Sequence, residues 1–505
     1  MFRVTATLRN LSDTMEKCRH LSRLHVFKEN GYINGKWVTS KGAECFNVLN
    51  PASGDVIATL PDMNVEDAQD AIDAAANAFK TWRFVTPKQR SELLRKWFNL
   101  LEANKDDIAE IMTAESGKPL GEAKVEVTYG NSFIEWFSEE ARRIHGEILT
   151  SPSVDRNIFY VMEPIGVAAL ITPWNFPHAM ITRKAGAALA AGCTCVVKPS
   201  GDTPLTALAL AQLAADAGIP AGVFNVLSSE HKHSPSIGKL LCESRSVAGI
   251  SFTGSTTVGK LLYSQCAAGV KRIALELGGN APFIVFNSAN IQQAVKGAMI
   301  AKYRNCGQAC VAANRILVQG DVYDKFVNEF VKEVKALKIG AGTEPGVNVG
   351  PLINKAHFQK VCSLVENAVC KGAKASVGGK PATSHGELFY EPTVLVDVTP
   401  DMKIYNEEVF GPVATLVRFS TEAEALNIAN GTESGLAAYF YSQDMSQILR
   451  VGRLIEAGMI GINEGLISTA EAPFGGVKQS GIGREGSRHG LQEYTNIKYI
   501  CLGAS

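Results

Sequence analysis

The stretch VAALITPWNFPHAMITRKAGAALAAGCTCVVK, residues Val167–Lys198, begins and ends with short apolar segments that predict buried strands. Helical segments such as Thr203–Ala217 then alternate with three more strand candidates, Val223–Val226, Val247–Thr253 and Arg272–Leu277. Strands that alternate with helices at this spacing are typical of βαβ units and a parallel sheet. The sequence therefore predicts an α/β fold.

The pattern differs on either side of this sheet. The first 145 residues are predicted to be mostly helical, with long helices over Val65–Lys80, Arg90–Ala114 and Leu120–Ile144. A second series of strands and helices begins near Pro282, so we expect a domain boundary near 278–282. The tail, Tyr494–Leu502, predicts an apolar strand, and an open edge strand is a candidate subunit interface.

Length and composition exclude several classes of protein. A chain of 505 residues predicts more than one domain. Lysine plus arginine equals aspartate plus glutamate at 50 each, so a general nucleic-acid binder is not expected. No apolar run approaches the roughly 18 residues that span a bilayer, so no membrane segment is expected. The 11 cysteines lack regular or zinc-ligand spacing, which predicts free thiols and no metal site.

The N-terminus is basic and contains serine, which is typical of a mitochondrial transit segment. An ordinary first helix is the alternative. Residues 1–24 are therefore predicted to be an N-terminal extension, with the mitochondrial matrix as the expected location and the cytoplasm as the alternative. The charged residues are Arg3, Arg9, Lys17, Arg19 and Arg23 against Asp13 and Glu16.

Parallel sheets bind ligands at the carboxyl ends of their strands. That rule predicts one edge formed by Pro173–Pro177, Lys198–Gly201, Gly254–Gly259 and Glu276–Gly279. The loop at Gly254 follows a strand and opens a helix, as a phosphate-binding loop does. Leu261 stands where a nucleotide hydrolase would hold magnesium, which argues against that class. A simple helix-capping turn is the alternative.

Lys198 indicates which dinucleotide this edge admits. A cation at a strand end can donate to ribose hydroxyls or to an adenosine phosphate, whereas an acid there selects NAD. The next residues are Pro199, Ser200 and Gly201, with nothing acidic among them. NADP is therefore expected to be admitted as well as NAD.

Three residues have the chemistry of acyl transfer. Cys310 is flanked by small residues that let a carbonyl approach its sulfur, and a thiolate is a strong nucleophile. Glu276 is a candidate base, and Asn175 carries an amide suited to an oxyanion. The alternatives are a buried hydrophobic thiol for Cys310 and a loop-stabilising role for Asn175.

Taken in order, PWNFP, FTGSTTVG, LELGG, GQAC and EEVFGPV resemble the aldehyde dehydrogenase superfamily from about Gly31 to about Gly503. AMITRKAGAALAAGCT, KYRNCGQAC and PFGGVKQSGIGREGSRHG are similar to the members that oxidise succinate semialdehyde. The resemblance implies a Rossmann-like coenzyme domain with a parallel sheet, an α/β catalytic domain and a small β element for oligomerisation. It implies coenzyme binding by 25–140 and 158–278, catalysis by 279–465, and a homotetramer built through 141–157 and 488–505.

The resemblance also implies roles for single residues. Cys310 would attack the aldehyde, Asn175 would bind the oxyanion, and Glu276 would activate water to hydrolyse a thioester. The coenzyme, NAD or NADP, would be bound by Thr172, Trp174, Lys198, Ser200, Gly201, Gly254, Ser255, Gly259, Glu408 and Phe410.

The expected substrate is a small semialdehyde whose carboxylate is held by Arg183, Arg304 and Ser468. A surface or interdomain salt bridge is the alternative for each arginine. The animal enzymes of this type carry a regulatory cysteine where this chain has Ala312, and Cys306 is the remaining candidate for that role. Glutarate semialdehyde and uncharged aldehydes are rival substrates. A thiol acyl hydrolase and a non-enzymatic scaffold are rival functions.

Overall fold

A computed structural model describes residues 20–503. Most of the predicted transit segment, residues 1–19, therefore lies outside the described residues, as do residues 504–505. Within the described range no helix combines the length and the apolar character needed to cross a bilayer.

The first sheet has eight strands, and its centre is parallel as the sequence predicts. Its two edges are antiparallel additions, the hairpin at Asn34–Gly35 and a short return strand from the C-terminal region. In spatial order the strands are Lys36–Val38, Gly31–Ile33, Phe224–Val226, Thr194–Lys198, Val167–Ile171, Val247–Thr253, Arg272–Glu276 and Gly481–Ile482.

Eight α-helices lie between residue 65 and the strand Arg272–Glu276, which is the last parallel strand of this sheet. The predicted helix over Arg90–Ala114 is wrong as a single element, because Asn104 leaves helical geometry and its side chain caps Leu100 O at 2.8 Å. The helices are Val65–Trp82, Pro87–Ala103, Lys105–Ser116, Leu120–Glu140, Ala179–Ala191, Pro204–Asp216, Ser234–Glu243 and Thr256–Ala267.

The second sheet has seven strands, of which only the edge strand Lys374–Val377 is antiparallel to its neighbour. The strands are, in spatial order, Lys374–Val377, Thr393–Val396, Val413–Phe419, Ala313–Gln319, Ala281–Val285, Ala437–Tyr441 and Met459–Ile462. The helices of this part are Ile291–Tyr303, Gly320–Lys335, Lys355–Cys370, Lys403–Asn406, Glu422–Asn430 and Met445–Leu454.

The predicted tail strand is present as Thr495–Gly503 and pairs along its whole length with Arg156–Pro164. It forms one edge of a three-stranded sheet whose other edge is Glu147–Leu149. Ile497 and Tyr499 on one face of the tail strand and Leu502 on the other are each more than half exposed. Two further strand pairs are Cys45–Leu49 with Val56–Pro61 and Ser434–Gly435 with Val477–Lys478.

The two large sheets meet at the segment where the sequence predicts a boundary. Arg272–Glu276 ends the parallel part of the first sheet, and Ala281–Val285 opens the second. The return strand Gly481–Ile482 pairs with Leu275 and Glu276 at the same place. Carboxyl ends of the first sheet therefore lie beside the residues that precede the strand Ala313–Gln319, including Cys310.

Candidate active site

Cys310 lies just after a sharp turn in the backbone. Asn305, Cys306 and Gly307 have φ of 51°, 57° and 71°, all in the left-handed region. At Gly307 a Cβ would lie 2.1 Å from the carbonyl oxygen of Gly411, so only glycine fits. Gly279 of the LELGG motif packs equally closely, because a Cβ there would lie 2.4 Å from Cys310 O. These glycines hold the nucleophile's backbone against both sheets.

The thiol of Cys310 and the carboxyl of Glu276 face one another. Burial raises the pKa of Cys310, and the charge of Glu276 raises it further, while Arg183 opposes the shift. Burial also raises the pKa of Glu276. A carboxyl with a raised pKa next to a thiol is suited to exchange a proton with it and, later, with water.

Glu276 belongs to a buried charge network. Arg183 Nη2 lies 3.2 Å from Glu276 Oε2, and the same guanidinium forms an ion pair with Glu485. Lys184 pairs with Glu485 as well and donates to Thr253 Oγ1 at 2.8 Å. Sequence reasoning missed Lys184 and Glu485; the signals available were the adjacent Arg-Lys pair and the acid within GREGS.

Arg183 is therefore placed differently from Arg304. It is 2 % exposed and paired with two carboxylates of the protein, and it does not line the cavity described below. A role for Arg183 in binding substrate stays a prediction, whereas its contact with the candidate base Glu276 is explicit.

Asn175 lies beside the nucleophile on the loop after the strand Val167–Ile171. Its Nδ2 donates to Gln308 O at 3.0 Å, two residues before Cys310. An amide nitrogen carries two hydrogens, and within residues 20–503 this is its one hydrogen bond. One N–H is therefore available to an oxyanion on the Cys310 side of the loop.

A groove of about 210 Å³ runs past the sulfur and brings eight predicted residues together. These are Trp174, Asn175, Gly254, Ser255, Glu276, Cys310, Glu408 and Phe410. His357 and Lys360, which sequence reasoning missed, also line it. Motifs that are far apart in the chain therefore line one groove together with Cys310.

The groove is closed on one side by aromatic rings. Phe410 lies edge-on to Trp174 with ring centroids 5.5 Å apart, and His357 Nε2 contacts Phe410 O at 2.6 Å. Glu408 accepts from Gly279 N at 3.2 Å, and burial raises its pKa to about 7. Aromatic rings and a carboxyl are suited to contact a flat ring and a ribose hydroxyl, so coenzyme binding by Trp174, Glu408 and Phe410 stays a prediction.

The loop at Gly254 combines helix capping with a site for an anion. Ser255 is the N-cap residue of the helix Thr256–Ala267, and its Oγ accepts from Val258 N at 3.3 Å. Gly259 lies one turn later, where a Cβ would lie 2.4 Å from Leu277. Gly259 therefore serves helix packing and does not line the groove, while the helix N-terminus offers N–H groups to a phosphate.

Lys198 and Thr172 mark the other end of the coenzyme path. Lys198 is 4 % exposed and its Nζ donates to Pro199 O at 3.1 Å; burial lowers its pKa to about 8. The hydroxyl of Thr172 is buried without a hydrogen-bond partner among the described residues. A buried cation and an orphan hydroxyl on adjacent strand ends fit the ribose or phosphate of a dinucleotide.

The expectation that nothing acidic lies near Lys198 is wrong in one respect. The charges of Asp202 and Asp62 act on Lys198. Asp202 contacts His231 Nε2 at 2.9 Å and accepts from Ser200 Oγ at 3.2 Å. Gly201 has no space for a side chain, since a Cβ would lie 2.9 Å from Ser229 O. The acid near Lys198 is thus Asp202, directly after Gly201, and it already contacts His231.

A second cavity, of about 450 Å³, lies beside the loop that carries Asn175. Phe176, Tyr129, Arg304 and Ser468 line it. Arg304 stacks on the Phe176 ring at 5.4 Å, and its guanidinium makes no ion pair within the described part of the chain. Burial raises the pKa of the Tyr129 hydroxyl in this cavity, the charge of Cys310 raises it further, and the charges of Arg183 and Arg304 oppose the shift.

Cys306 and Cys310 pack in different cores. The side chain of Cys306 is 2 % exposed and packs with Val349 and Val361, whereas Cys310 packs against the cluster that contains Val311. Burial raises the pKa of Cys306. The buried Cys306 thiol, with its raised pKa, therefore lacks the exposed thiolate character that a redox-active cysteine needs.

Comparison with known proteins agrees with this geometry. The model of the "Aldehyde dehydrogenase family" matches residues 37–500. Human mitochondrial succinate-semialdehyde dehydrogenase is 54% identical over 95% of this chain and 89% of its own length. The NADP(+) succinate-semialdehyde dehydrogenase of Escherichia coli is 50% identical over 96% and 99%. The structure of betaine aldehyde dehydrogenase from Staphylococcus aureus with NAD+ superimposes with a TM-score of 0.93, at 36% identity over 97% and 96%.

Proposed function

Since this chain belongs to the aldehyde dehydrogenase family, we propose that it oxidises succinate semialdehyde to succinate with NAD or NADP. The reaction is the oxidative step of 4-aminobutyrate degradation. The protein is an NAD(P)-dependent aldehyde oxidoreductase, and its substrate is a small molecule.

One observation supports the substrate most directly. The cavity beside the Asn175 loop presents an unpaired guanidinium, Arg304, and a hydroxyl, Ser468, among mostly apolar walls. A carboxylate at the far end of a short aldehyde would pair with Arg304 and accept from Ser468. An uncharged aldehyde leaves Arg304 without a partner, so the cavity favours a semialdehyde.

The first half of the mechanism uses Cys310, Glu276 and Asn175. Glu276 takes the proton of the thiol, whose raised pKa keeps it protonated in the resting protein. The sulfur adds to the carbonyl carbon, and the oxyanion accepts from the free N–H of Asn175 and from the backbone N–H of Cys310. NAD or NADP bound in the groove lined by Trp174, Glu408 and Phe410 would supply the hydride acceptor, and loss of hydride from the adduct would leave a thioester on Cys310.

The second half is hydrolysis. Glu276 first releases the thiol's proton to solvent and then removes a proton from water. The hydroxide adds to the thioester carbonyl, and the same two donors hold the oxyanion. Collapse expels the thiolate of Cys310 and releases succinate. Arg183 keeps the carboxyl of Glu276 next to the sulfur through both steps.

The experiment follows reduced coenzyme by absorbance with succinate semialdehyde, glutarate semialdehyde and butanal, each with NAD and with NADP. We expect the highest kcat/KM for succinate semialdehyde and none for Cys310→Ser with any aldehyde. A thiol acyl hydrolase would form no reduced coenzyme but would still cleave an activated ester. Equal kcat/KM for butanal would favour a broad-range aldehyde dehydrogenase.

The domain plan and assembly are part of the proposal. We assign coenzyme binding to 25–140 and 158–278, catalysis to 279–465, and a homotetramer to 141–157 and 488–505. The exposed apolar side chains of Ile497, Tyr499 and Leu502 on the edge strand Thr495–Gly503 support the assembly. Light scattering on the full chain and on a chain ending at residue 494 tests it, since loss of the strand should reduce the particle mass.

The mitochondrial matrix is the proposed location. The human relative is described as mitochondrial, and the basic N-terminal composition supports the same location here. A fluorescent fusion of the full chain, compared with one that begins at residue 25, separates this from the cytoplasmic alternative.

A further inference from the structure

Three consecutive residues hold an uncommon backbone conformation just before the nucleophile. Asn305, Cys306 and Gly307 all have positive φ. A non-glycine residue in this region is costly, and it persists only when its surroundings fix it. The contacts that hold this turn therefore also set the position of the Cys310 backbone N–H, three residues beyond it.

The backbone of the turn is fixed by Glu122. The N–H of Asn305 donates to Glu122 Oε2 at 2.6 Å. The side chain of Asn305 then donates to Asn175 O at 2.8 Å and to Gln308 O at 3.2 Å. The turn is thus tied on one side to a carboxylate and on the other to the loop that carries the oxyanion amide.

The loop that carries Asn175 is fixed by Lys118, just before the helix Leu120–Glu140, and by Glu126 within that helix. Lys118 Nζ donates to Asn175 O at 2.9 Å and forms a buried ion pair with Glu126. Glu126 Oε1 accepts from His178 N at 3.0 Å, which holds the end of the loop. Lys118, Glu122 and Glu126 are spaced four residues apart, and the two glutamates lie on one face of the helix Leu120–Glu140.

We propose that Lys118, Glu122 and Glu126 form a clamp that sets the spacing between the Asn175 amide and the Cys310 backbone N–H. They are positioning residues for the oxyanion site. Glu122 holds the turn that precedes Cys310, whereas Lys118 and Glu126 hold the loop that carries Asn175. The proposal rests on the proposed function, because these two donors matter only if Cys310 forms an oxyanion. It adds a role that neither the thiol nor the amide reveals alone.

The test compares Glu122→Ala with Glu122→Gln. Glutamine keeps an oxygen that accepts from Asn305 N–H, whereas alanine removes the acceptor. Because a displacement of about 1 Å near a reacting centre costs up to about 100-fold, we expect a 10- to 100-fold lower kcat for Glu122→Ala. We expect Glu122→Gln to keep kcat within about threefold of the unchanged protein, with the KM for butanal unchanged in both.

The alternative to the clamp is that Glu122 balances the charge of Arg304. Glu122 also lines the cavity that holds Arg304. If its role were to balance that arginine, alanine and glutamine would change the KM for succinate semialdehyde alike and leave kcat for butanal unaltered. A Glu122→Gln protein as slow as Glu122→Ala would also overturn the proposal.

A second variant covers the case in which Glu122→Ala does not fold. Asn305→Gly keeps a residue that tolerates positive φ but removes the bonds to Asn175 O and Gln308 O. We expect a folded protein with kcat lowered about tenfold. An Asn305→Gly protein with unchanged kcat would overturn the proposal.

The hydrolysis of 4-nitrophenyl acetate separates this inference from the proposed function. Ester cleavage uses the thiol and both oxyanion donors but needs no coenzyme or semialdehyde. If the protein oxidised no semialdehyde, the proposed function would fail, and ester cleavage would still rank the Glu122 variants. We expect the same order in both assays, with Glu122→Ala slowest.

Discussion

Two arginines near Cys310 have opposite surroundings. Arg183 is buried and shared between the carboxylates of Glu276 and Glu485, whereas Arg304 lies on Phe176 in a cavity wall and pairs with no carboxylate of the described residues. A guanidinium that already has two carboxylates gains little from a third. One without a partner gains a strong bidentate contact when an anion binds. The partners of an arginine, more than its nearness to the sulfur, indicate whether it maintains the site or binds a ligand.

Breaking the Arg183 network should have the largest effect. Glu485→Ala leaves Arg183 and Lys184 buried without their shared carboxylate. We expect the free energy of unfolding in urea to fall by about 3–5 kcal/mol. Arg304→Ala is the matched control and should lower it by less than about 1 kcal/mol. Equal losses in the two variants would contradict the contrast between the arginines.

Removing Arg304 should affect substrate recognition instead. A charged hydrogen-bonded pair contributes about 2–3 kcal/mol, so Arg304→Ala should raise the KM for succinate semialdehyde about 30- to 150-fold. The KM for butanal should change by less than about threefold, and Arg304→Lys should fall between. Steady-state kinetics with both aldehydes measures these KM values. A parallel rise in both would contradict the assignment of Arg304 as the residue that binds the substrate carboxylate.

The pH dependence should separate the two regions again. The raised pKa of Glu276 means that its carboxylate form, the base, becomes populated only as pH rises, so thioester hydrolysis should accelerate with pH. The charge of Glu485 is one cause of that raised pKa. Glu485→Gln should therefore move the profile to lower pH, while Arg304→Ala leaves it in place. Single-turnover rates of thioester hydrolysis across pH 5–9 measure the profile. An unchanged profile in Glu485→Gln would contradict the influence of Glu485 on the pKa of Glu276.

Ser468 should give the smallest effect. Its hydroxyl offers one hydrogen bond to a bound carboxylate, which contributes about 1 kcal/mol. Ser468→Ala should therefore raise the KM for succinate semialdehyde about fivefold and leave kcat and the pH profile unchanged. An unchanged KM would restrict carboxylate recognition to Arg304.

Much of this site could be predicted from the sequence, because its parts are local patterns. The parallel strands are apolar runs. Lys198 and Glu276 end two of them, and Asn175 and Gly254 lie in the loops after two others, as the carboxyl-end rule requires. The pairing of Lys184 with Glu485 could not be predicted, because 301 residues separate the two and no local pattern joins them. The roles of Asn305 and Glu122 depend on a turn and a contact that no sequence motif announces.

Two predictions failed because a neighbouring residue changed the local balance. The helix over Arg90–Ala114 breaks at Asn104, whose amide satisfies a backbone carbonyl and so competes with the helix. The prediction that no acid lies near Lys198 depends on residues 199–201, which are Pro, Ser and Gly. Asp202 follows directly, and Asp62 reaches the same lysine from another part of the fold.

The separate packing of the two neighbouring thiols has a consequence for damage by peroxide. A sulfenic acid formed at Cys310 is rescued when a thiol, from the same chain or from solution, attacks it to form a disulfide. Ala312 offers no sulfur, and Cys306 lies in another core. Repair of the oxidised enzyme therefore depends on a small thiol that enters from solution, and its recovery should follow the concentration of that reductant.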